Sequence, residues 1–149
     1  MSQNSLSKIG VAVSTYNSSI TRRLQSGALE TLQTASYDSD QIILAEVPGA
    51  WELPLAAQWM TARHDIAAVV VLGAVIRGET THDQYINSSV SQALMEIMLR
   101  TGKPIGFGLL TCNNMEQAIH RAGGNVGNKG IETAEAVLAM LRLRSTSLA

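Results

Sequence analysis

The run Ala67 to Ile76, Ala-Ala-Val-Val-Val-Leu-Gly-Ala-Val-Ile, constrains this chain more than any other stretch. Its ten apolar residues are too few to span a bilayer, and Arg77-Gly78 ends them. A strand with one wet face would alternate polar and apolar residues. An unbroken valine-rich run reads instead as a strand buried on both faces at the centre of a parallel sheet. Chemistry follows it in Gly78-Glu79-Thr80-Thr81-His82. Gly78 permits a tight turn with exposed amides, the threonines add hydroxyls, and His82 can exchange a proton near neutral pH. In open α/β sheets, ligands bind just outside the carboxyl ends of the strands.

The rest of the chain supplies the layers around that strand. Residues 1 to 7 read as a mobile tail. Ile9 to Val13 is a short buried strand, closed by the polar loop Ser14 to Ser19. Ser18 or Asn17 is positioned to cap a helix in which Ile20, Leu24, Ala28 and Leu32 recur at helical spacing to about Thr34. Ile42 to Val47 is a second strand, stopped by Pro48-Gly49. A second helix then carries Pro54 in its first turn and runs to about Arg63. After the central strand, a long helix spans about Gln84 to Thr101, with Ile86, Val90, Leu94, Ile97 and Met98 on one side. Met95 and Leu99 widen the apolar arc enough to suggest a second partner. Gly102 and Pro104 end it, and Ile105 to Thr111 is a fourth strand. Asn113 and Glu116 resemble a capping box for a helix to Arg121, which Gly123-Gly124 breaks before a last helix from Ile131 to about Arg142. The expected fold is an α/β sandwich of three layers, with a four-stranded parallel sheet and helices on both faces. No linker divides it, so residues 8–149 read as one domain.

Composition narrows the function. Charged residues are 15% of the chain, below the roughly 25% usual for soluble domains, which points to surface buried between copies of the chain. The net charge of −1 and scattered basic residues leave no footprint for nucleic acid or an anionic membrane. No secretory h-region or membrane helix is evident, so a cytoplasmic protein is expected. Cys112 is the only cysteine, so neither an internal disulfide nor a cysteine-built zinc site can form.

Three strand ends put chemistry on one edge: Tyr16-Asn17, Trp51-Glu52, and Glu79 to His82. Each group also has an ordinary reading. Tyr16 and Trp51 could be packing aromatics or flat platforms for a heterocycle. Glu52 could favour a helix dipole or accept a ligand hydrogen bond, and Arg121 could oppose a helix dipole or contact an anion. Gly78 to Thr81 could hold a phosphate through backbone amides. His82 differs from His64, which reads as a surface residue, by its place at the sheet edge. Phe107 reads as core, and Cys112 as a small buried filler. The Ser14 to Ser19 loop could suggest a flavin-phosphate site, but it has no glycine. Neither a receiver-domain acidic pair nor a Walker A loop is present.

Several motifs in order carry a resemblance: Val47-Pro48-Gly49-Ala50-Trp51-Glu52-Leu53-Pro54, then Gly73 to His82, then Gly108-Leu109-Leu110-Thr111, Glu116 to Ile119, Arg121-Ala122-Gly123 and Gly127-Asn128-Lys129-Gly130. Together they resemble the lumazine synthases, over nearly the whole chain. The resemblance implies a flavodoxin-like sandwich that condenses 5-amino-6-(D-ribitylamino)uracil with 3,4-dihydroxy-2-butanone 4-phosphate, giving 6,7-dimethyl-8-ribityllumazine, phosphate and water, with no metal or cofactor. It places Tyr16 stacked on the pyrimidine, Ala50, Trp51 and Glu52 on the ribityl chain and ring, and the backbone of Ala74, Val75 and Ile76 on the pyrimidine. Glu79 and Thr80 would hold the phosphate, with Arg121 opposite. His82 would donate and accept protons, and Phe107 would arrive from a neighbouring subunit. The implied partners are small-molecule substrates and further copies of the chain, as a pentamer or an icosahedral shell, with riboflavin synthase as an associated enzyme.

The chain departs from that pattern where Asp83-Gln84 stand in place of a common aromatic and acid, where Gly124-Asn125 replaces a common Thr-Lys, and where His120 replaces a common glutamate. Two alternatives use the same pocket without catalysis: a flavin or lumazine carrier, and a shell protein that serves for enclosure.

Overall fold

Strand β3, Ile66–Ile76, holds the centre of the molecule, in a computed structural model that describes residues 7–78, 82–124 and 127–148. Around it lie β1 (Lys8–Ser14), β2 (Ile42–Val47) and β4 (Ile105–Cys112), all parallel, in the order β2-β1-β3-β4. Alternate residues of β3 enter separate cores. Ala68, Val70, Leu72 and Ala74 pack on one face, Val69 and Val71 on the other, all but Ala74 with no solvent exposure. That double burial is why the run lacks polar residues.

The first face is covered by α1 (Ser18–Thr34), through Ile20, Leu24, Ala28 and Leu32, and by α5 (Lys129–Ser147), through Ala134, Val137 and Leu138. A 3-10 turn, Ala50–Glu52, leads into α2 (Leu53–Thr61), which covers the second face with α3 (His82–Thr101) through Leu53, Ala57, Met60, Val90, Leu94 and Ile97. These are the three layers and four parallel strands expected from the sequence. Pro54 sits in the first turn of α2, where its missing amide costs nothing. The chain leaves β1 towards β2 on one side and reaches β3 on the other. The carboxyl ends of β1 and β3 therefore flank the switch point where a crevice must open.

Several local expectations need correction. Asn17 is the N-cap residue of α1, one of the two expected, but its side chain does not cap the helix: its backbone is left-handed (φ 62°) and its Nδ2 donates to the Ala74 carbonyl at 3.1 Å. The cap of α4 (Met115–Arg121) is Asn114, not Asn113. Its Oδ1 accepts from the Gln117 amide at 2.9 Å, while Gln117 Oε1 accepts from the Asn113 amide at 2.9 Å. The Asn113–Glu116 pairing is thus displaced by one residue. Gly123 and Gly124 do more than break that helix: β5 (Ala122–Gly124) pairs antiparallel with β6 (Gly127–Asn128), and positive φ at Gly123 and Gly127 makes the bend possible. Asn128 caps α5, which starts before Ile131 and runs beyond Arg142. Helix α2 ends at Thr61, short of Arg63, where Lys103 Nζ donates to the Thr61 and Arg63 carbonyls. Phe107 is not core: it is 43% exposed on β4, an edge strand.

At the amino edge of the sheet, Arg63 grips Asp65 through two hydrogen bonds of 2.9 and 2.8 Å, and Lys8 lies 3.4 Å away. The Arg63 hydrogen bond holds the Asp65 carboxyl well below the usual range, with Lys8 adding to it. His64 beside them is exposed, as expected. Among the described residues no helix is long and apolar enough to cross a membrane.

Candidate functional site

Hydrogen bonds at the ends of β1 and β2 build the first wall of the site. The amides of Thr15 and Tyr16 donate to the carbonyls of Val47 and Pro48, at 2.8 and 2.9 Å, so the loop after β1 is tied to the end of β2. Tyr16 lies over Gly49, and a methyl group at Gly49 would stand 2.8 Å from the ring. Glu52 folds back so that Oε1 accepts from the Gly49 amide at 2.9 Å, closing the 3-10 turn that presents Trp51. From the other side, Asn17 fastens the loop to β3 through the Ala74 carbonyl.

These contacts leave a cleft of about 340 Å³ at the carboxyl edge, lined by Tyr16, Trp51, Glu52, Val75, His82 and Ile86 among others. Tyr16 and Trp51 are 65% and 64% exposed, so they are not packing aromatics; large flat apolar surfaces at the rim of a cleft are suited to a ring. Ala50, Ala74 and Ile76 also line it, and His82 opens α3 at its edge. Of the residues expected at this edge, Glu79 and Thr80 lie outside the described residues.

Arg121 and Phe107 do not join this cleft. Arg121, at the end of α4, lines a second cavity of about 420 Å³ with Leu109, Leu110, Thr111, Lys129 and Glu132. No described residue lines both cavities. Arg121 and Lys129 bring two cations to the second cavity against the single carboxylate of Glu132, a balance that suits an anion. Lys129 lies in the Gly127-Asn128-Lys129-Gly130 motif, where the sequence alone assigns it no role. A signal was present: Lys129 is the first residue of α5, and a cation there opposes the helix dipole, so its place calls for another reason. Among the described residues, no group of three or more His, Cys, Asp or Glu side chains could hold a metal ion.

A parallel sheet in the order β2-β1-β3-β4, with a cleft at its switch point and a histidine on the rim, defines a protein of the flavodoxin-like class, in which small ligands bind at that point. The comparisons with known proteins specify which. The family model for 6,7-dimethyl-8-ribityllumazine synthase matches residues 7–145, and the chain belongs to that family. It is 49% identical over 138 residues to the 6,7-dimethyl-8-ribityllumazine synthase of Rhodopirellula baltica, covering 93% of this chain and 89% of that one. Relatives of the same name from Thermus thermophilus and Desulfovibrio desulfuricans are 46% and 42% identical over 136 residues, each match covering 91% of this chain and 87% of the relative.

Proposed function

We propose that the cleft at the β1/β3 switch point is one half of the site at which this chain makes 6,7-dimethyl-8-ribityllumazine for riboflavin biosynthesis, from 5-amino-6-(D-ribitylamino)uracil and 3,4-dihydroxy-2-butanone 4-phosphate. The observation that carries this reading is the convergence of Tyr16, Trp51, Glu52 and His82 on one cleft in a chain of this family. Tyr16 stacks on the pyrimidine, which meets the backbone of Ala74, Val75 and Ile76. Ala50, Trp51 and Glu52 take the ribityl chain and ring edge. Glu79 and Thr80 hold the phosphate.

The reaction joins a nucleophilic amine to a ketone carbon, whose oxygen leaves as water, and expels inorganic phosphate as the ring closes with further loss of water. Carbonyl addition needs a group that gives and takes protons near neutral pH, which is the work of His82. Expulsion of phosphate needs its charge held as the C–O bond breaks, which is the work of Arg121. Much of the rate comes from fixing two substrates against each other.

Arg121 and Phe107 act in the cleft of a neighbouring subunit. Their separation from the Tyr16 cleft within one chain supports that arrangement. So do Leu55, Trp59, Tyr85, Met95 and Leu99, large apolar side chains exposed along α2 and α3. The assembly is a pentamer, and the sequence from Gly123 to Gly130, which carries no insertion relative to the family pattern, favours further assembly into a shell. Mass photometry reading only pentamers would overturn the shell.

The test is lumazine formation, followed by absorbance, with wild type, Arg121→Ala and His82→Ala. Arg121→Ala is expected to raise the apparent KM for the phosphate substrate roughly 10- to 100-fold, the value of a charge-assisted contact. His82→Ala is expected to lower kcat by about a hundredfold or more. Folded wild type that binds lumazine yet makes none above the spontaneous reaction would establish a carrier instead.

A further inference from the structure

Asp83 is the one carboxylate among the described residues that is buried, at 5% exposure, and the reading above gives it no task. A carboxylate in the first turn of a helix gains from the dipole while remaining in water, so the dipole does not explain burial. Its Oδ2 lies 3.5 Å from Arg77 Nε in an ion pair whose arginine is half exposed. The Arg77 amide is itself fixed, donating to the Cys112 carbonyl of β4 at 2.7 Å.

Two features make this pair poor as a stability device. It is long and wet on one side, so its attraction is small against the cost of burying a charge. Farther along the same helix face, at i+4, Asn87 Oδ1 is also buried and has no hydrogen-bond partner among the described residues. From Val90 onward that face turns apolar, with Leu94 and Ile97. The apolar side of α3 already begins at Ile86, which packs on the second core, so the buried Asp83 carboxylate and Asn87 Oδ1 are polar groups set beside it where packing alone has no use for them.

We propose that Asp83 is a positioning residue: paired with Arg77, it locks the first turn of α3 to the end of β3 and so sets the place of His82 in the cleft. The pair joins residues on either side of the segment from 78 to 82, so it fixes where the chain re-enters the helix. His82 is the immediate neighbour of Asp83 and lines the cleft with Ile86. This inference rests on the catalytic role given to His82 above.

The experiment compares wild type with Arg77→Gln, Asp83→Asn, the double variant and Arg77→Lys. Each neutral single variant is expected to lower kcat roughly tenfold while KM for the ribitylaminouracil stays within about twofold, since the pyrimidine wall is untouched. The double variant should be no slower than the slower single one, because both break the same pair. Arg77→Lys should recover most of the loss. Unchanged kcat in the single variants, or losses that multiply in the double, would overturn the inference. Arg77→Gln alters only a half-exposed residue, so it stands even where Asp83→Asn does not fold. A second readout does not depend on turnover. The chain has three histidines, and the imidazole NMR signal lost in His82→Ala should move in Arg77→Gln while the other two stay in place. A wild type without activity would defeat the proposed reaction alone; an unmoved His82 signal would defeat the positioning role alone.

Discussion

At the scale of single residues, the cleft depends on a position with no side chain. Gly49 has an extended backbone that any residue could adopt, so its requirement is for space: the Tyr16 ring occupies the place of a Cβ. Gly49→Ala should leave the fold intact and tip Tyr16 off its platform. Affinity for the pyrimidine substrate should fall about 5- to 10-fold, in line with a lost ring contact, with little change in kcat. Titration calorimetry with the ribitylaminouracil checks it, and unchanged affinity would mean that Tyr16 does not stack there. The gathering of Tyr16, Trp51, Glu52 and His82 at one edge was legible in the sequence because each lies in, or at the end of, the connection that leaves a strand's carboxyl end, and strand ends were legible. What Asn17 does was not, because its partner, Ala74, lies on another strand. Phe107 misled for a related reason. Its apolar neighbours suggested core, but only the strand order puts β4 at an edge and turns Phe107 outward.

Among elements, α1 and α5 approach closely at Gly130, and the sequence held only an indirect sign of it. The sequence puts Gly130 at the end of the Gly127-Asn128-Lys129-Gly130 motif, just ahead of the last helix expected from Ile131. In the structure it is in the first turn of α5, where a methyl group would fall on the Leu24 carbonyl of α1. Asn128 completes the join, capping α5 through Oδ1 while Nδ2 donates to the Arg23 carbonyl at 3.1 Å. Gly130→Ala must therefore push two backbones apart, which no rotamer change can relieve. A loss of about 2–3 kcal/mol is expected in denaturant unfolding, the usual cost of overpacking. A change below about 0.5 kcal/mol, ordinary for a surface site, would show that the helices part freely. Because Lys129 adjoins Gly130, the same substitution should also disturb the Arg121 cavity. The strands were easier to read than this contact, since double burial writes itself into consecutive residues and a helix crossing does not.

For the whole molecule, the central question is whether one chain holds a complete site. The order of elements was readable from the alternation of strands and helices, but the separation of Arg121 from the Tyr16 cleft needed the folded coordinates. If the site is shared, each cleft takes His82 from one chain and Arg121 from its neighbour around a closed ring. Variants defective in different halves should then rescue each other. His82→Ala and Arg121→Ala chains, unfolded together in equal amounts and reassembled, produce some clefts in which both halves are wild type. Random placement around a ring makes these roughly a quarter of all sites, so, assayed with the phosphate substrate well below the wild-type KM, activity should return to about a quarter of wild type although each variant alone then gives only a small fraction of it. Mixing without unfolding should restore nothing, because the subunits would not exchange. If the reassembled mixture is no more active than the mean of its two components, His82 and Arg121 serve the same chain. The two cavities would then have to be joined by movement within the protomer.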